Sequence, residues 1–155
     1  AEGWHFLLAG GGIYDNLDYS FTVGQENGTF EFPSSQPGGG GSALRSQLKI
    51  LKDFLYSFDF IKMAPDDSVI KEGIPSGATA QVLTESGKAY AIYIRGGNQA
   101  NLTLDIPVGD YRVEWLNPRT GTIDRAQAVG HAGGSLTLES PHYSEDVALR
   151  LVRKK

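Results

Sequence analysis

The chain has 155 residues, 40% of them apolar and 21% charged, with a formal net charge of −4. That is enough polypeptide for one domain with a true core, and the composition excludes extended disorder. The absence of cysteine excludes disulfides, thiolate metal sites and a cysteine nucleophile. The one basic block is Arg153-Lys154-Lys155, so neither nucleic acid nor an anionic membrane is an expected partner, and no apolar run reaches the ~18 residues of a spanning helix.

Up to Pro65 the chain is irregular. The chain opens on Ala1-Glu2-Gly3, with neither an initiator Met nor a signal-type pattern, and reads as a piece of something longer. The short apolar run Trp4 to Ala9 suits a strand buried on both faces and ends at Gly10-Gly11-Gly12. Tyr19, Phe21 and Val23 alternate with Ser20 and Thr22, which suggests a second, half-buried strand. Pro33 to Gly41 can only be loop. Ser42 is then placed as an N-cap, and Leu44, Leu48, Leu51, Leu55 and Phe58 step by four, three, four and three. This spacing lays an apolar stripe along a helix over 42–58, which must pack on something to be stable. Asp59 to Met63 reads as extended, and Pro65-Asp66-Asp67 breaks the chain.

From about Ala78 the period becomes two. Ala80–Thr84 and Lys88–Ile94 flank a Ser86-Gly87 hairpin signal. Leu102–Ile106, Tyr111–Trp115, Thr122–Val129, Leu136–Leu138 and Val147–Leu151 follow, with the turn Asn117-Pro118-Arg119-Thr120-Gly121 between the second and third of these. Such regular spacing without helical pattern predicts an antiparallel β-sandwich of about seven strands. The expected fold is therefore mainly β, a sandwich preceded by an irregular segment with one amphipathic helix, divided into units 1–65 and 66–155. Within it Trp115 is expected in the core with Tyr111 and Val113. Tyr90 and Tyr93 fall on opposite faces, so one must point outward unless both faces are covered.

Candidate chemistry is sparse. Tyr14-Asp15-Asn16-Leu17-Asp18-Tyr19 is the best polar cluster. Tyr14, Asn16, Asp18 and Tyr19 are candidates to line a substrate site, where carboxylate and amide would meet sugar hydroxyls and the rings would stack; turn formation is the competing role. Asp15, Asn16 and Asp18 lack the twelve-residue calcium-loop pattern. Gly38–Gly41 lacks the Lys-Ser/Thr of a phosphate loop, and His5, His131 and His142 lie too far apart for a local metal motif. No Gly-x-Ser-x-Gly elbow and no paired carboxylates with supporting context occur. No catalytic residue, metal or cofactor is expected.

The stretches LLAGGGIYDNLDYSFTVG (Leu7–Gly24) and PGGGGSALRSQLKILKDFLYSFDFIKM (Pro37–Met63) resemble the end of the barrel in a group of bacterial glycoside-hydrolase-like proteins. YRVEWLNPRTGTI (Tyr111–Ile123) and DVALRLV (Asp146–Val152) resemble the small β domain, described as collagen-binding, that follows that barrel. The resemblance implies that 1–65 is the terminal strand, loop and helix of a truncated barrel and 66–155 an accessory sandwich bracing it. It places the acid/base pair upstream of Ala1, so this chain alone is not expected to be an enzyme. The implied partner is the remainder of the barrel, with polysaccharide or collagen binding by a secreted or periplasmic protein as the alternative. The isolated piece, having lost its barrel, is expected to self-associate or fold its arm onto the sandwich.

Overall fold

The computed structural model describes residues 1–15, 17–33, 35 and 39–154. It is mainly β, with two helices, α1 (Glu2–Leu8) and α2 (Gly41–Tyr56), ahead of nine strands among the described residues. These are β1 (Ala64–Pro65), β2 (Ile70–Glu72), β3 (Thr79–Glu85), β4 (Ala89–Arg95), β5 (Asn101–Leu104), β6 (Gly109–Leu116), β7 (Ile123–His131), β8 (Leu136–Glu139) and β9 (Asp146–Arg153). One sheet has six strands in the order β1-β3-β4-β9-β6-β7, the other three in the order β2-β5-β8, and every pairing is antiparallel. All seven of the longer expected strands form; β1 and β2 are the additions.

The apolar run near the start is a helix, not the expected strand. Its burial decides the matter: Trp4 and Leu8 are buried while Phe6 between them is exposed. A spacing of four is one helical face, whereas a strand would put Trp4, Phe6 and Leu8 together. The glycines end this helix. Gly10 takes φ +92°, Gly11 N–H donates to Phe6 O at 2.9 Å and Gly10 N–H to Leu7 O at 3.1 Å, the paired bonds of a Schellman cap.

Helix α2 matches the expected stripe with two changes. Its buried residues are Leu51, Phe54 and Leu55, with Leu44 and Leu48 half-buried; the helix ends at Tyr56, so Phe58, also half-buried, lies beyond it. Ser42 is not the cap. Gly40 occupies that position, without a side-chain bond of its own. Asp59 to Met63 is a 3-10 turn at Phe60–Lys62 rather than extended. The Tyr19–Val23 strand is also absent, replaced by turns in which Gln25 N–H donates to Thr22 O and Gly28 N–H to Gln25 O; Gly24 and Gly28 have positive φ, which bends the backbone out of a strand.

Three layers result. Between the sheets lies the main core, with Tyr90, Ile92, Tyr111, Val113, Trp115, Leu149, Leu102 and Leu138 all buried. On the outer face of the larger sheet, Leu83, Ala91, Tyr93 and Ala148 form a second core with Trp4 and Leu8 of α1 and Leu51, Phe54 and Leu55 of α2. Strand β4 is therefore covered on both faces, and every residue from Ala89 to Ile94 is buried. Tyr90 and Tyr93 thus point opposite ways and neither reaches solvent. Burying side chains of this size is worth about 1.5–3 kcal/mol each, which is what holds helices too short to stand alone.

Candidate functional site

Of the four loop residues, the three that the structure describes, Tyr14, Asp18 and Tyr19, do not converge on one point. Asp18 is the best defined. Its Oδ1 accepts from Ser20 N–H at 3.0 Å, from Ser20 Oγ–H at 2.6 Å and from Gly41 N–H at 3.0 Å. Its Oδ2 accepts from Arg45 Nη1 at 2.7 Å. The Ser20 hydroxyl and amide, Arg45 and the Gly41 amide hold this carboxyl well below the usual carboxylate range. Arg45 also donates to Ser20 Oγ at 2.8 Å and to Gly28 O at 3.0 Å, and its guanidinium lies 4.9 Å from the centre of the Phe21 ring.

Asp18 therefore caps α2 from 23 residues away, satisfying a free first-turn amide and placing negative charge at the positive end of the helix dipole. The fit demands glycine beside it. A Cβ on Gly40, at φ +146°, would lie 2.1 Å from Asp18 Oδ1. Tyr19 packs its ring 6.2 Å from that of Phe32, apart from Tyr14. Asn16 lies outside the described residues.

Tyr14 stands between two openings. Its hydroxyl donates to Glu2 Oε2 at 3.4 Å, and burial, with Glu2 beside it, raises its pKa. On one side is a recess of about 490 Å³ bounded by Trp4, Leu48, Leu51, Arg119 and Asp146. On the other runs a groove of about 730 Å³ along α2, floored by Leu7, Ile13, Leu48, Leu55 and Tyr56 and edged by Arg45, Lys49 and Lys52. Two of its lining residues, Ile13 and Tyr56, belong to a set of exposed apolar side chains on the arm. Ile13, Leu17, Phe21, Val23, Tyr56 and Ile61 are each at least half exposed, whereas Val108 is the one large apolar side chain of 64–154 that passes that mark.

Sequence reasoning missed the joint that fastens the arm. Tyr93 OH donates to Asp146 Oδ2 at 2.7 Å, and burial followed by that carboxylate pushes the phenol far up. Trp4 stacks on the Tyr93 ring, and His5 meets its edge at 5.0 Å and 88°. His5 Nε2 lies 3.3 Å from Thr79 Oγ1, and burial, then Arg95, lowers the pKa of this imidazole. Among the described residues, no three His, Asp or Glu side chains gather as a metal site.

The architecture is an antiparallel sandwich that carries a two-helix arm on the outer face of its larger sheet, with an apolar groove along α2. A family model described as "Putative collagen-binding domain of a collagenase" matches residues 64–151, more than half of the chain, and the chain belongs to that family. The fold is similar to part of a glycoside hydrolase (TM-score 0.53, 20% identity), over 79% of this chain and 30% of that one. It is also similar to part of a family 5 glycoside hydrolase from Bacteroides vulgatus (TM-score 0.50, 21% identity), over 70% of this chain and 24% of the other. The chain thus spans less than a third of either neighbour, and the likeness extends from the sandwich into the arm. A search of the curated proteins found no significant match.

Proposed function

We propose that this chain is a non-catalytic accessory portion of a glycoside-hydrolase-like protein, in which the sandwich braces a catalytic barrel and the arm forms the seam. The observation that carries this reading is the uneven exposure of apolar side chains. The sandwich hides most of its own, while the arm turns Ile13 and Tyr56 of the α2 groove, and Ile61, outward. An exposed apolar surface of that kind marks an interaction site. The fold likeness to glycoside hydrolases, which reaches into the arm, supports a barrel as the occupant. Under this reading 1–65 and 66–155 are separate structural units, and Tyr14, at the mouth of both openings, is the loop residue placed to touch a partner or substrate. Asp18 and Tyr19 shape the loop around it.

The test joins this chain to a glycoside-hydrolase barrel. Ile13→Asp and Tyr56→Asp are expected to lower the melting temperature of the joined protein while leaving that of the isolated chain unchanged. Equal melting temperatures for both substituted and unsubstituted joined proteins would overturn the bracing role. The family description favours a second reading, a module that binds collagen or polysaccharide, and calorimetry against collagen peptides and a polysaccharide panel separates the two.

A further inference from the structure

A pocket of about 340 Å³ opens between the two sheets beside the β3–β4 hairpin. Thr84 of β3 and Tyr90 of β4 are register partners on the face of the main core, and both line the pocket from the larger sheet. Lys71 of β2 and Asp105, just after β5, line it from the smaller sheet. Thr84 is 7% exposed, and its Oγ1 is buried with no hydrogen-bond partner among the described residues. A buried hydroxyl left unpaired costs stability. Valine would fill the same space without that cost.

Tyr90 raises the same question. Its hydroxyl accepts from Gly87 N–H at 2.9 Å, and none of the described residues takes its proton. Burial raises the pKa of this phenol, with Asp66 and Asp105 adding to the shift against Gly87 and Arg153, so it stays a donor at neutral pH. The acceptors stand at the rim. Asp66 uses Oδ1 on the amide and hydroxyl of Ser68, and Asp105 uses Oδ2 on Lys71 at 3.3 Å, so each carboxylate has a second oxygen to offer.

These groups select among ligands. Two carboxylates against one ammonium do not favour an anion, and the Lys71 ammonium opposes a second cation. A wholly apolar ligand would leave the Thr84 and Tyr90 hydroxyls unpaired. A sugar ring meets every group, because each of its hydroxyls both donates and accepts and its C–H face suits the apolar wall of Val69, Ile106 and Pro107. The volume is more than twice the ~150 Å³ that admits benzene, which leaves room for a six-membered ring with its hydroxyls.

We propose that this pocket binds one neutral hexose unit, its hydroxyls paired with Tyr90, Asp66 and Asp105, and with Thr84 once that side chain turns about χ1 to another staggered well. The site is independent of the arm and of the bracing role. It sharpens the polysaccharide reading above and rests on it only for the attachment of that unit to a longer chain.

The experiment is an amide-resonance titration of the whole chain with glucose, galactose and mannose, and with glucuronate and cyclohexanol as controls. Saturable shifts at Ser68, Ser86 and Asp105 are expected with at least one hexose, weaker ones with glucuronate and none with cyclohexanol. Thr84→Val keeps the shape and is expected to act in two opposite directions. It raises the melting temperature of the free chain and weakens hexose binding about fivefold, the worth of one neutral hydrogen bond. Tyr90→Phe is expected to weaken binding as well; should it disturb the hairpin, Thr84→Val carries the test. The proposal is overturned by silence with all three hexoses, by cyclohexanol moving the same amides equally, or by undiminished affinity in Thr84→Val. A polysaccharide that binds in calorimetry while these amides stay still also overturns it, yet leaves the polysaccharide reading standing. Hexose shifts here beside calorimetric silence toward polysaccharides keep the site, as one for free sugars, and end that reading.

Discussion

Trp4 stacks on Tyr93 with ring centroids 5.4 Å apart and planes 16° from parallel. The contact joins α1 to the middle of the six-stranded sheet, and both rings are buried. Because Trp4 also packs 5.0 Å from Phe54 of α2, it ties α1, α2 and β4 together within the second core. Trp4→Ala is expected to cost about 3–5 kcal/mol, the usual loss for truncating a buried aromatic. Amide exchange should show α1 and α2 losing protection while β4, β6 and β9 keep theirs. Simultaneous loss of protection throughout the chain would mean that arm and sandwich unfold as one unit.

The Tyr93 hydroxyl gives a smaller, separable effect. Tyr93→Phe keeps the stacking and removes the bond to Asp146. A hydrogen bond to a charged group contributes about 1.5–3 kcal/mol, and denaturant unfolding should show a loss at or below the lower end of that range, since Asp146 is only half-buried and can recruit water. A loss equal to that of Trp4→Ala would show the ring to be misplaced.

Much of this was legible in the sequence and some could not have been. Period-two alternation located the seven longer strands because each has one face in the main core. The same alternation set Tyr90 and Tyr93 on opposite faces, as they are, but alternation cannot say which face is the outer one or what covers it. The burial of Tyr93 depends on α1 and α2, which arrive from far along the chain. The Trp4 run was too short for its period to separate helix from strand, and only the exposure of Phe6 settles it. Asp18 looked like a ligand-facing acid because its partner, the Gly41 amide, lies too far along the chain for any local capping pattern to reveal.

Asp18 makes the arm acid-sensitive. Its folded pKa is depressed, so its contribution is present above the unfolded value of about 3.9 and is lost as pH falls from there through the lower folded value. Exchange protection of the first turn of α2 should therefore decline below about pH 4. Asp18→Asn retains an acceptor for Gly41 and Ser20 but no charge, and should flatten that decline. A decline of the same size in Asp18→Asn would assign the acid sensitivity to another carboxylate.

His5 acts in a different window. Its folded pKa lies below the ordinary 6.5, chiefly through burial and secondly through Arg95. The unfolded chain therefore binds the proton first, and stability rises with pH from the folded value up to about 6.5, where it becomes constant. Lowering pH below that point should loosen α1 before it affects the sandwich. His5→Gln, which leaves no titrating group against the Tyr93 edge, should abolish the dependence between pH 5 and 7. Monitoring Trp4 fluorescence across that range reads the docking directly, and an unchanged slope in His5→Gln would remove His5 from the account.

The division of the chain into two units has its sharpest test at Ala64. Strand β1 pairs Ala64 with Thr84 and Pro65 with Leu83, so a fragment meant to preserve the sandwich must begin at Ala64 rather than after Pro65. The fragment 64–155 keeps every member of the main core but uncovers Leu83, Ala91, Tyr93 and Ala148. It is expected to retain the β4–β9 and β6–β9 registers, to be less stable than the full chain and to self-associate through the bared face, visible as a concentration-dependent mass in light scattering. Replacing Ala91 and Ala148 by Lys should restore a monomer without altering those registers. A fragment without protected amides in β4 and β9 would show that the helices are needed for the sandwich to form, and the two-unit division would have to be abandoned.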